Sequence, residues 1–397
     1  MEKKINLKFP FRLFNSDHNI ELQSIAYSLN FFLPTLILII SSFFNNYNLT
    51  AELGILIGIN IIFTQIFSAN ARSIIVSKKL INLVYSHIVF RIIISIIVIT
   101  INIFILNLFD FSNKFSLLLI SFMIVLQWLN ELVLTYLELK KKVKSLYYYI
   151  VAALTFVFFI FIDFLYFYNL VYIFLIYCIL LFIFFFIFFI KISIRKKNKI
   201  FLKNILISLI KSKAFYSSFS ISFANLIWRL LIIYYCGKIL AGVYFASFAI
   251  GSLPGTLFNN TFGPTIIKHN VKVNKNFYYF KYLFIIGLFF LLFWSFLNRD
   301  QIFISLSHTQ VFGTFISLLG SYFMTKSLYI RQYFIQKTLH QEHIFKVDVF
   351  YSLLVIFVVP TLFFFGGNSL IIISFLVSSV LSFLVYKYTF NKLILNK

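Results

Sequence analysis

The sequence predicts an all-α integral membrane protein with about 12 transmembrane helices in two six-helix bundles. Three observations point there. The chain is 61% hydrophobic and only 12% charged, against roughly 25% charged residues in a soluble domain. Apolar runs of about 20 residues, enough to cross a hydrocarbon core of about 30 Å, recur along its whole length. Of its 35 Lys and Arg, all but five sit on the two tails and on every second connector between those runs. The exceptions are Lys114, Lys238 and Arg299 on the other connectors, and Arg91 and Arg229 inside runs. An AT-rich genome could raise Lys, Ile, Phe and Asn together and so produce the net charge of +24. It could not deal lysines to alternate connectors. Short Lys/Arg-bearing loops resist translocation, so both termini and the basic connectors are expected on the cytoplasmic side of a bacterial inner membrane.

The expected spans are 22–43, 51–69, 85–108, 115–137, 146–167, 170–190, 214–236, 239–261, 279–297, 302–324, 346–366 and 369–387. Ahead of the first, residues 5–14 mix apolar and basic positions and suit the membrane surface. Lys3, Lys4, Lys8 and Arg12 precede it without a small-residue cleavage pattern, so no cleavable signal peptide is expected. Only Tyr168 and Asn169 separate spans 5 and 6. Merging those two would reverse the sidedness of everything downstream and destroy the charge alternation, which is why the count is twelve. The outer connectors are short: FNNYN after span 1, FDFSNK after span 3, NRD after span 9 and GGNS after span 11.

The longest inner connector, 191–213, carries eight basic residues near the midpoint. It reads as the joint between an N-terminal lobe, residues 1–200, and a C-terminal lobe, residues 201–397. A weak internal echo agrees: Gly54 opens span 2 and Gly242 opens span 8 in similar surroundings. Spans 4 and 10 also both run on into long, partly polar inner extensions. Even-numbered halves of this kind are parallel repeats about an axis along the membrane normal.

Composition also excludes functions. The basic residues flank apolar runs, so they are expected to meet anionic lipid headgroups rather than nucleic acid. Cys178 and Cys236 lie in apolar spans without ligand spacing and read as small buried hydrophobes. Neither GxxxxGK[ST] nor GxGxxG occurs, and no metal-ligand cluster, nucleophile elbow or acidic pair on a long outer loop is present. No cofactor or metal is expected, and transport is favoured over catalysis.

Ionisable groups inside spans cost about 2.5–3.5 kcal/mol at a helix centre and usually face an interior or a wet cavity. Arg229 lies about seven residues from the outer end of span 7. It reads either as a basic group in a central cavity suited to phosphate oxygens or as an arginine reaching the interface beside Trp228. Arg72, with Ser68 and Asn70, is either an ordinary inner-loop charge or a cavity rim. Arg91 shares a helix face with His87, and Glu131 lies at similar depth on the next span. An Arg91–Glu131 pair is expected, either structural or with Glu131 titrating to couple an ion. Span 10 is unusually polar: Ser307, Gln310, Thr314 and Ser317 form one stripe beside His308, either joining helices or facing water. Pro34, Pro254 and Gly255 mark bends, static or hinging. Asp163 and Glu52 are most simply interfacial.

The stretch 228–266 carries Ala241-Gly242-Val243-Tyr244, Leu253-Pro254-Gly255 and Gly263-Pro264. It resembles the seventh and eighth helices of bacterial oligosaccharide-lipid flippases, the polysaccharide-transporter branch of the superfamily that also holds multidrug exporters of the MATE type. The resemblance implies a MATE-like, two-lobed fold and alternating access. Its implied cargo is a polyprenyl-diphosphate-linked oligosaccharide moved to the periplasmic leaflet for surface polysaccharide such as O-antigen. Arg229, Arg72 and Arg91 would line the cavity, with Arg229 and Arg72 on the diphosphate. Glu131, His308 or Gln310 would serve a coupling proton or sodium ion or a structural role, and glycan polymerase machinery would be a neighbouring partner. A MATE-like small-molecule exporter and a membrane glycan polymerase are the alternatives. The first would want an acidic cavity and the second a substantial outer loop.

Overall fold

The computed structural model describes residues 18–68, 71, 72, 75, 81–108, 111, 113–140, 142–166, 170–194, 213–257, 305–337 and 341–392. Among these residues ten helices follow one another: α1 (His18–Phe43), α2 (Tyr47–Ser68), α3 (Ile81–Leu108), α4 (Lys114–Leu139), α5 (Val143–Tyr166), α6 (Leu170–Ile194), α7 (Lys213–Leu257), α8 (Ser305–Lys337), α9 (Gln341–Leu370) and α10 (Ser374–Phe390). No strand occurs among the described residues. Two of the ten hold a reversal or break. In α7, Gly237 takes φ 76° and ψ 168°, a conformation open to glycine, so α7 divides into α7a (213–236) and α7b (238–257). In α9, Gly366 and Gly367 leave helical geometry, Gly367 at φ 63°, ahead of the short 3-10 turn Ile371–Ile373. Eleven of the expected spans thus have helical counterparts. The expected span 279–297 lies outside the described residues, as do Gly263 and Pro264 and the 195–212 part of the joint between lobes.

The α1–α2 turn shows how local sequence sets these boundaries. Asn45 adopts φ 57°, the left-handed position that asparagine tolerates at a helix C-terminus. Its N–H and that of Asn46 donate to the Ser42 and Ser41 carbonyls at 3.0 and 3.1 Å. The Asn46 side chain then accepts from the Leu49 N–H at 3.3 Å, capping α2. One Asn-Asn pair ends one helix and starts the next.

Among the described residues, eight helical stretches are long and apolar enough to cross a membrane, two of them joining a pair of spans each. α8 falls below that hydropathy because Thr309, Gln310, Thr314, Ser317, Ser321 and Thr325 run along it. α4 is buried almost continuously from Ser116 to Leu137, packed by α3, α6 and α1, while α5 packs on α1. α6 turns Ile176, Phe182, Phe186 and Ile190 outward, the pattern of a helix facing lipid tails. In the second half, α7 packs on α8 and α9, and α10 on α8. α2 lies against α7 along more of its length than against any helix of the first half, so the α2–α7 seam joins the two halves.

Small residues let that seam close. A Cβ on Gly54 would strike the Phe245 ring, and one on Gly242 would strike the Tyr47 backbone carbonyl. Close backbone approach at glycine is how helices associate where burial of apolar surface gives no drive. α1 stays helical through the buried Pro34. Gly255 is buried and faces Met324 of α8, and the side chain of Pro254 lies outside the described residues.

Candidate functional site

Among the polar clusters of the core, three bear on a site. The first is in the first half, toward the end of α2 that carries Ser68. Arg91 of α3 is 0% exposed. Its NH1 donates to Glu131 Oε2 at 2.8 Å and to the Trp128 carbonyl at 2.5 Å, and its NH2 donates to Ser68 Oγ at 3.2 Å. Trp128 Nε1 donates to the same Ser68 Oγ at 2.6 Å, and the guanidinium sits 4.8 Å over the Trp128 ring. Three helices are tied through one arginine. The layer continues to Arg72, which lies 3.3 Å over the Tyr27 ring and 3.6 Å from Glu138 Oε2. Tyr27 OH donates to Thr135 Oγ1 at 3.1 Å, and Thr135 donates to the Glu131 carbonyl.

The second cluster lies in the other half and draws on all four of its described helices. Asp348 of α9, 0% exposed, accepts from Arg331 of α8 through Nε at 3.1 Å and NH2 at 3.0 Å. Ser217 of α7a and Tyr386 of α10 also donate to its carboxylate. With two hydroxyl donors besides the charge pair, the lone pairs of this buried carboxylate are satisfied, the condition under which burial of an ion pair is tolerated.

The third cluster is the seam. Gln310 of α8 accepts from Tyr47 OH at 3.0 Å and donates to Ser42 Oγ at 3.2 Å, so the α1–α2 turn is bonded to the opposite half. Midway down, Arg229 NH1 donates to the Gly54 carbonyl of α2, and its guanidinium lies 5.8 Å from the Phe245 ring centroid. A Cβ on Gly58 would lie 3.4 Å from Arg229 Cδ, so the arginine stem runs in the groove left by Gly54 and Gly58. Further along, Ser222 Oγ donates to Gln65 Oε1 at 2.7 Å.

The geometry brings Arg91 and Glu131 together as a pair. It does not bring the three candidate arginines together. Gly54, which meets Arg229, and Ser68, which meets Arg91, are fourteen residues apart on continuous helix, about 21 Å at 1.5 Å per residue. Arg72 lies beyond Ser68 again. In this conformation Arg229 and Arg72 do not converge on one point, because α2 spaces the two by most of a membrane thickness. Arg229 also does not simply run to the interface: it crosses to the other half. The backbone at His308 is in the first turn of α8, with its side chain outside the described residues. Glu52 lies 4.0 Å from Lys238 Nζ, at the same end as the α1–α2 turn.

Sequence reading missed the Asp348 cluster. Arg331 lay in what looked like an inner extension and Asp348 at the edge of a span, and both are ordinary at such positions. It also passed over Gly54-Ile55-Leu56-Ile57-Gly58, whose small-xxx-small spacing was a visible signal.

No family model matches the sequence, and no curated protein does at a significant level. Solved structures do. An inward-facing structure of a multidrug resistance MATE family transporter of the MOP superfamily superposes with a TM-score of 0.58 at 12% identity. That match covers 93% of this chain and 98% of the other. The chain has the MATE-type fold. An outward-facing structure of a MATE family transporter of the same superfamily gives 0.54 at 14% identity, covering 94% and 96%. A MATE P26A mutant gives 0.53 at 14%, over the same shares. At these identities the likeness is one of architecture.

Proposed function

We propose that this protein is an alternating-access transporter of the inner membrane that flips a polyprenyl-diphosphate-linked oligosaccharide from the cytoplasmic to the periplasmic leaflet. The observation that carries the reading is the inequality among its buried arginines. Four arginines lie among the described residues. Arg91, Arg72 and Arg331 face Glu131, Glu138 and Asp348. Arg229 instead meets a neutral backbone carbonyl and an aromatic ring. An uncompensated guanidinium between two movable halves attracts an anion, and its planar fork suits phosphate oxygens.

The conformation fits a transporter caught on one side. Gln310 bonds the α1–α2 turn across the seam, so that face is shut. The basic positions Lys140, Lys142, Lys191 and Lys387 lie at the opposite helix ends, the side expected in the cytoplasm. The inward-facing neighbour gives the higher TM-score of the two states, 0.58 against 0.54.

Arg229→Ala should abolish surface glycan and leave lipid-linked intermediates on the inner leaflet, with membrane protein level unchanged. Normal glycan export in that variant would remove Arg229 from the site and the reading with it. A second reading, export of small molecules, is favoured by the neighbours being multidrug resistance transporters. Against a cationic cargo, Glu131, Glu138 and Asp348 are already opposed by arginines. Drug sensitivity of a deletion strain with intact surface glycan would decide for the second reading.

A further inference from the structure

Arg229 raises a question beyond what it binds: what an incoming anion must displace. Its partner, the Gly54 carbonyl, belongs to the other half of the molecule. Gly54 lies inside the continuous helix α2, where its carbonyl also accepts from the N–H four residues on. A carbonyl has two lone pairs, so Gly54 remains hydrogen-bonded when Arg229 leaves. The departure costs α2 little. The exchange is favourable on the other side too, because hydrogen bonds between charged partners are roughly twice as strong as those to neutral acceptors. Three features show a place built for exchange rather than for permanent pairing. Arg91, Arg72 and Arg331 have carboxylates, which an anion would have to outcompete, and Arg229 has none within its cluster. Arg229 as a residue is partly exposed, whereas Arg91 is fully buried. The adjacent Trp228 is buried with its ring 5.1 Å from that of Phe248 and its Nε1 lacking an acceptor among the described residues, a second donor on the same turn of α7a.

We infer that the Gly54 carbonyl is a stand-in ligand for Arg229, displaced by the diphosphate of a lipid headgroup, so that substrate binding itself releases a contact closing the two halves. The inference rests on the reading of Arg229 as the anion site and adds the coupling between binding and opening. Release of this contact leaves Gln310 as a bond holding the α1–α2 face, and a seam so weakened opens there more readily. The lipid headgroup and a free diphosphate share the chemistry. The prenyl tail adds apolar attachment in the bilayer.

The test uses the full chain in nanodiscs, in a Cys178→Ala, Cys236→Ala background. Spin labels sit at Lys114→Cys and Tyr234→Cys, exposed positions on the two halves near the α1–α2 face. The probe is farnesyl diphosphate, with farnesol and inorganic pyrophosphate as controls. Farnesyl diphosphate should lengthen the label distance, while farnesol leaves it unchanged. Pyrophosphate should act only at much higher concentration; equal potency would mean the site takes free diphosphate, and the lipid part of the inference falls. Arg229→Gln should weaken farnesyl diphosphate binding roughly ten- to hundredfold, the range for a hydrogen bond to a charged group, and abolish the lengthening. Arg229→Lys keeps the charge without the fork and guards against misfolding; it should bind more weakly than wild type and still lengthen at saturation. Arg229-dependent binding with an unchanged distance would overturn the coupling and leave the anion site standing. Binding that ignores Arg229 would overturn both.

Discussion

Arg91 and Glu131 show at the scale of single residues what a buried charge does in this fold. The pair is hydrogen-bonded at 2.8 Å and lies among three helices. Removing one partner leaves the other charge buried alone, which costs about 3–5 kcal/mol, while replacing both with apolar groups of similar volume is often neutral. Glu131→Ala should therefore lower detergent-solubilised stability by about 3–5 kcal/mol, and Arg91→Met with Glu131→Leu should recover most of it in the same unfolding assay. The double variant also separates two roles. A purely structural pair predicts that it transports; a coupling carboxylate predicts a stable protein that does not. Asp348 should behave more severely than Glu131, because Asp348→Ala strands Arg331 and also frees Ser217 and Tyr386 from their acceptor. Loss of stability no larger than for Glu131→Ala would show that the fourfold tie contributes little beyond its charge pair.

At the scale of helices, glycine spacing decides how near the halves come, and two of the glycines in the seam differ sharply. A methyl on Gly242 would overlap the Tyr47 carbonyl, a backbone atom that cannot step aside. A methyl on Gly58 would meet Leu226 Cδ1 at 3.2 Å, the end of a flexible side chain. Gly242→Ala should cost the shut state about 1–3 kcal/mol, the range for overpacking. A cysteine at Gln310 should then become reactive to a membrane-impermeant thiol reagent added from the periplasm. Gly58→Ala should leave that labelling near wild type. Equal labelling of the two variants would mean that Gly242 does not set the closure. Much at this scale was legible in the sequence. Gly237 and Gly366-Gly367 punctuate apolar runs, and they fall where α7 and α9 break. Asn45 and Asn46 mark the α1–α2 turn. The partners across helices were not legible, since which residue Arg331 or Arg229 faces depends on how helices rotate and tilt, and a 3.6-residue period says only which side chains share a face. Arg91 and Glu131 were the exception because a short connector fixes spans 3 and 4 as neighbours. Arg229 and Arg72 were grouped by charge alone, and the length of α2 separates them.

Across the whole molecule, the proposed transport requires the two halves to part at the α1–α2 face, and Gln310 is where that demand can be tested physically. Its side chain bonds Ser42 on α1 and Tyr47 on α2, while Ser247 of α7b donates to its backbone carbonyl at 3.2 Å and fixes α8 on its own half. Pulling the halves apart must break the first two bonds and spare the third. Ser42→Cys with Gln310→Cys, in the background lacking Cys178 and Cys236, places two thiols across the break. Joining them with a short thiol-bridging reagent should halt glycan export, and reducing the bridge should restore it. Each single cysteine variant should export normally with or without the reagent. A bridge between Ser317→Cys on α8 and Gly251→Cys on α7b would be a poor control, since Gly251 packs against the Ser317 backbone and a side chain there disturbs the contact. Lys326→Cys with Phe383→Cys serves better, because Lys326 Nζ already lies 5.6 Å from the Phe383 ring centre within one half. That intra-half bridge should leave export intact. If a complete Ser42–Gln310 bridge leaves export at the unbridged rate, the halves do not separate at this face, and an alternating-access account built on the α2–α7 seam fails whatever the cargo proves to be.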